Sequence, residues 1–146
     1  MNRVNFSVEE VPPPAWEKKA KNFILKVLAF LKKEKWDLSV LFCGNSRIKQ
    51  LNRHYREKDE PTDVLSFMLG ETAHGRYLPG DIVISLEALE ENAGYFGVTP
   101  DEELRRLLVH GILHLCGMDH KTIEDDEPML QLQEKILAEL AGENII

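Results

Sequence analysis

The sequence predicts an α+β fold: a single domain with a small four-stranded mixed sheet and helices packed mainly on one face. Three observations carry this reading. The chain has 146 residues and is 43% apolar, which suits one hydrophobic core. Stretches of period-two and helical apolar spacing follow each other as strand, helix, strand, helix, strand, strand and then three helices. There is no internal repeat and no low-complexity linker, so residues 1–146 read as one domain.

The elements follow in order. VNFSV (4–8) alternates as a strand does, and Pro12-Pro13-Pro14 breaks the chain after it. From Ala15 to Lys33 apolar residues fall at 16, 20, 23, 24, 27, 28 and 31, which is helix spacing, with a lysine-rich opposite face. Leu38, Val40 and Phe42 alternate in a second strand. Asn45 or Ser46 suits the cap of a short helix with Ile48, Leu51 and Tyr55 facing inward and Lys49, Arg53 and Arg56 sharing another face. KDEPTDVLSF (58–67) turns into a third strand, ETAHGRYLPG (71–80) reads as a loop or hairpin tip, and DIVIS (81–85) is a fourth strand. Leu86 to Phe96 form a helix. Thr99-Pro100-Asp101-Glu102 starts the next with a capping box, and Gly117 stops it after about Cys116. A last helix from about Glu124 to Leu140 presents Met129, Leu132, Ile136 and Leu140 on one face.

Composition excludes several classes. FILKVLAFL (23–31) is too short and too charged for a membrane span, and MNRVNFSVEE lacks an apolar signal region, so the chain reads as cytoplasmic. Cys43 and Cys116 lie among apolar residues and read as buried free thiols. The net charge of −7 argues against indiscriminate binding to nucleic acid, and no DNA partner is expected. Charge is nonetheless segregated. Residues 1–60 hold 13 Lys/Arg against 8 Asp/Glu, whereas residues 61–146 hold 5 against 17. A local basic surface of the kind that binds a polyanion is compatible with that asymmetry, as are solvated helix faces.

The chemistry concentrates in HGILHLCGMDH (110–120). His110 and His114, four apart on a helix, lie one above the other on one face. Gly117 lets the chain turn back, so that His120 can come round as a third ligand. Three protein nitrogens with one position left open is the pattern of a catalytic metal site. Cys116 points to a different side of the helix, and Asp119 reads as a hydrogen-bond partner for a ligand histidine. His54 and His74 have no ligand-like spacing. Gly111 stands where the zinc-protease signature HExxH needs its glutamate base, which disfavours proteolysis and suits a phosphodiester substrate. Arg56, just before the KDEPTDVLSF turn, is a candidate to hold phosphate oxygens in its planar fork. Lys49 and Arg53 read as a solvated or RNA-tracking face.

Three segments together resemble a known family. HGILHLCGMDH resembles the H-G-x-L-H-L-x-G-x-D-H signature of the YbeY family of bacterial metal-dependent endoribonucleases. LNRHYREKDEPTDVLSF is similar to its second signature, L-N-x-x-x-R followed by T-D-V-L-S-F, and GDIVIS to its third. The resemblance covers nearly the whole chain, with Met118 a departure where many members have an aromatic residue. It implies one Zn2+ ion held by His110, His114 and His120, and a functionally important arginine at Arg56. It also implies cleavage of single-stranded RNA in ribosomal RNA maturation and ribosome quality control, with the small ribosomal subunit as partner. The residues themselves leave two alternatives open: another zinc-dependent hydrolase, acting on an amide or small phosphate ester, and a ribosome-assembly factor whose zinc is mainly structural.

Overall fold

Nine elements follow the expected order in the computed structural model, which describes residues 1–57, 62–118 and 128–146. They are β1 (Arg3–Val8), α1 (Glu17–Phe30), β2 (Asp37–Cys43), α2 (Asn45–Arg56), β3 (Val64–Ala73), β4 (Arg76–Ser85), α3 (Leu86–Phe96), α4 (Pro100–Leu115) and α5 (Pro128–Glu139). The sheet order is β1-β2-β4-β3. β1 and β4 both run parallel to β2, while β3 pairs antiparallel with β4. β3 is therefore an edge strand.

Alternation along the strands divides the apolar residues between two faces. Val4, Leu38, Val40, Phe42, Ile82 and Ile84 point into the main core, where they meet Phe23, Ile24, Val27 and Leu28 of α1 and Leu104, Leu108 and Ile112 of α4. Met129 and Ile136 of α5 close the same core. Burying each such side chain stabilises the fold by roughly 1.5–3 kcal/mol. The opposite face carries a smaller cluster, in which Ile48 of α2 packs on Cys43, Leu65 and Val83. Helices thus pack mainly on one face, and α2 covers the other.

Two glycines let the backbone come close. A Cβ on Gly111 would lie 3.1 Å from side-chain atoms of Ile82, so α4 presses onto β4 at this point. Gly80 has φ +139°, and a Cβ there would run into the Phe67 carbonyl oxygen. Gly80 stands opposite Met68, where the β3–β4 register shifts between Met68 and Glu71 as a bulge.

Of the two readings of residues 71–80, the hairpin tip is the one found: β3 and β4 run through them and turn at His74-Gly75, both with positive φ. Other local expectations need correction. The expected Asn45 or Ser46 cap is absent, and Gly44 takes that position without a side-chain bond. Asn45 is instead drawn away by the Ser85 hydroxyl, which donates to its Oδ1 at 2.6 Å. The first amides of α2 are taken by distant carboxylates, Asn45 N donating to Glu87 (2.9 Å) and Arg47 N to Glu10 (2.7 Å). Tyr55, expected inward, is 62% exposed, while Asn52 is buried. The last turn of α2 has reached the open edge of the sheet. The capping of α4 is as expected: Thr99 Oγ1 accepts from Glu102 N at 3.1 Å. The predicted start of the last helix lies outside the described residues.

Candidate metal centre and cleft

The final turns of α4 carry His110 and His114, both half-buried, on the face that looks toward β3. Their rings meet edge to face with centroids 4.6 Å apart. His110 Nδ1 lies 2.8 Å from Gln133 Oε1 on α5. His114 Nδ1 lies 3.1 Å from the Met118 carbonyl oxygen. An oxygen in either position accepts, which suits the tautomer with the proton on each Nδ1 and Nε2 as the ligating nitrogen. The two Nε2 atoms face each other at 3.0 Å. Two nitrogens at that separation can both coordinate one cation lying to their side, at the roughly 2.0–2.1 Å of a zinc–nitrogen bond. This donor set, neutral imidazoles oriented by bonds at the far ring nitrogen, fits a transition-metal ion.

His120 and Asp119, the expected third ligand and its neighbour, lie outside the described residues. Among the described residues no group of three or more His, Cys, Asp or Glu converges. Cys116 packs against the main core, and burial pushes its thiol up, with Lys33 opposing, so it stays protonated at neutral pH.

Arg56 reaches the same place from the other side of the edge strand. Its Nη2 donates to the Ser66 carbonyl oxygen at 2.8 Å, and its guanidinium carbon lies 5.8 Å from the Phe67 ring centroid. Arg56, Ser66, Met68, His110, His114 and Met118 line one cavity of about 410 Å³. Ser66 Oγ also donates to Gly111 O at 3.5 Å, a long bond from β3 to α4. Lys49 and Arg53 are exposed on α2 and do not line this cavity, and His54 and His74 are exposed and away from it. A larger cavity of about 660 Å³ lies between α4 and α5, beside Phe96. It contains no histidine, and its buried Glu103 is matched by Arg106 at 2.6 Å. The smaller cleft holds the chemistry.

Sequence reasoning missed Gln133 and Ser66. Gln133 had a signal, a polar residue at core spacing between Met129 and Ile136 and only 4% exposed. Ser66 had none, since its part is played mainly by its carbonyl oxygen.

Fold and cleft together define a class: an α+β protein in which a two-histidine helix and an arginine from the end of α2, bonded to the edge strand, enclose a polar cleft. The particular family follows from comparison, because residues 3–141 match the family model described as Endoribonuclease YbeY, and the chain belongs to that family. The Endoribonuclease YbeY of Treponema denticola is 46% identical over 142 residues, 93% of this chain and 92% of the relative. That of Borrelia turicatae is 48% identical over 123 residues, covering 81% and 82%. The solution structure of TM1509 from Thermotoga maritima superposes with a TM-score of 0.61 at 32% identity, over 98% of this chain and 91% of that one. No helix among the described residues is long and apolar enough to cross a membrane.

Proposed function

We propose that the chain is a zinc-dependent endoribonuclease that cuts single-stranded RNA in ribosomal RNA maturation, working on or beside the small ribosomal subunit in the cytoplasm. Membership of the Endoribonuclease YbeY family supports RNA cleavage. The single observation that carries the metal is the pair of Nε2 atoms at 3.0 Å, each ring with its Nδ1 already bonded. His110, His114 and His120 would hold the ion. When bound, zinc supplies Lewis acidity at a phosphodiester.

The chain's own residues do the rest. The Ser66 carbonyl fixes one arm of the Arg56 guanidinium, leaving the remaining donors for phosphate oxygens as charge builds on them. Gly111 leaves no carboxylate base on the helix between the histidines. Lys49 and Arg53 lie on the exposed surface of α2 and follow the RNA backbone, contributing affinity that falls with salt.

The test is cleavage of an end-labelled structured RNA by zinc-loaded wild type, with Arg56→Ala purified identically as control. Cutting in single-stranded regions, stopped by a chelator and absent in a metal-retaining Arg56→Ala, is the expected result. Equal cutting by both proteins would remove Arg56 from the chemistry. No cutting by either, on free RNA or on ribosomal particles, would sink the nuclease reading.

A further inference from the structure

Tyr55 is the aromatic residue that the fold leaves open beside the cleft. It is 62% exposed although it stands at a core-like position of α2, and Met68 (59%) and Leu69 (49%) on the edge strand are exposed as well. Its ring meets Phe67 at 5.2 Å and 62°, and His54 at 4.5 Å and 90°. Phe67 in turn carries the Arg56 guanidinium 5.8 Å from its centroid. One half-buried ring therefore links the open tyrosine to the arginine of the cleft. Met68 lines the cavity together with Arg56 and the histidines, so Arg56 is the residue that belongs both to the cleft and to the aromatic pair beside it.

An exposed aromatic ring next to cationic side chains is how proteins hold unpaired bases, since every base offers a π-face whatever its sequence. The other exposed residues on this helix include Lys49, Arg53 and Arg56, a surface that attracts a polyanion. We propose that Tyr55, backed by Phe67 and flanked by His54, is a stacking platform for a nucleobase of single-stranded RNA. The base it holds belongs to a nucleotide flanking the phosphate that Arg56 takes. This rests on the endoribonuclease reading and deepens it. A base inside a duplex cannot reach the ring without leaving its stack, so the platform also supplies a physical origin for single-strand preference.

The experiment compares zinc-loaded wild type, Tyr55→Ala and Tyr55→Phe on a short single-stranded RNA carrying 2-aminopurine. Fluorescence is followed on mixing, and KM and kcat are followed by cleavage. Wild type should quench the probe as the base stacks. Tyr55→Ala should lose the quench and raise KM about tenfold, the order expected for one stacked base, with the loss carried by KM rather than kcat. Tyr55→Phe should restore both. The salt slope of binding should not change in Tyr55→Ala, because no phosphate contact is removed. If wild type cuts RNA but Tyr55→Ala binds and quenches as well as wild type, the platform is overturned while the nuclease reading stands. That includes the case in which Tyr55→Ala fails only on ribosomal particles, which would assign the ring to a protein contact. If wild type neither binds nor cuts RNA, the nuclease reading falls and the platform with it.

Discussion

His110 Nε2 and His114 Nε2 lie 3.0 Å apart, while Gln133 and the Met118 carbonyl hold the opposite ring nitrogens. Both imidazoles are thus turned to offer lone pairs to the same point. Among the described residues, α1, α4, α5 and the sheet bury their apolar faces against one another in a core that does not pass through the two histidines.

Metal removal is therefore expected to leave the fold standing. Chelator-treated protein should keep its far-UV circular dichroism, and returned zinc should raise Tm in proportion to the logarithm of its concentration. His114→Ala should fold and show no such rise. Unfolding on chelation would favour the assembly-factor alternative, in which zinc contributes folding energy directly.

Gln133 orients His110 from a different helix. Gln133→Leu removes the acceptor and should weaken zinc binding by about 10–100-fold, as loss of such partners does elsewhere. Gln133→Glu keeps an acceptor oxygen at the same reach and should retain the affinity. Competition against a chromophoric chelator measures both, and equal affinities for wild type and Gln133→Leu would show that His110 needs no orienting.

Gly111 is constrained by packing as well as by chemistry, since its Cβ would approach Ile82 to 3.1 Å. Gly111→Ala should cost about 1–3 kcal/mol in overpacking, partly offset by the ~1 kcal/mol that alanine gains over glycine in a helix. Adding Ile82→Val should recover part of the loss, so that the double variant is more stable than the sum of the singles in urea melts. Gly111→Glu should show no cooperative thermal transition, because its carboxylate would enter the core. A stably folded Gly111→Glu would refute the packing argument.

Burial pushes the Cys43 thiol up to about 12, with the nearby Glu10 carboxylate adding to the shift. The neutral thiol is favoured in the folded chain, so its contribution to stability is intact below the ordinary thiol value of 9.0 and is lost as pH rises from there toward about 12. Native protein at pH 8 should leave Cys43 unmodified by Ellman's reagent, with reaction appearing only in urea. Rapid modification before unfolding would mean that Cys43 is not enclosed.

Much of this was legible from spacing. The order of elements, the mixed sheet and the α4 cap follow from period and cap chemistry, because each element buries one continuous apolar face. Tyr55 was misread for a physical reason: it sits four residues after Leu51, but the last turn of α2 lies over the edge strand, where Phe67 covers one side of its ring. A helical period says which side a residue is on, not whether anything lies opposite. In the sequence the stretch 71–80 stays open between a loop and a hairpin tip because Pro79 and two glycines suit either, whereas the bulge near Gly80 lets the strands continue. In the site, His110 and His114 meet as the motif predicts, and Arg56 joins them. Gln133 stands at core spacing in its own helix, but nothing in the sequence ties that position to His110, 23 residues upstream.

The contact between Gly111 and Ile82 has an evolutionary consequence. A protease signature lies one residue away in sequence, yet on this packing argument that single step sets a larger side chain against Ile82 before it gains a base. The two motifs are neighbours in sequence and separated by a packing cost. A smaller residue on β4 lowers that cost, so the order of the two substitutions matters for stability.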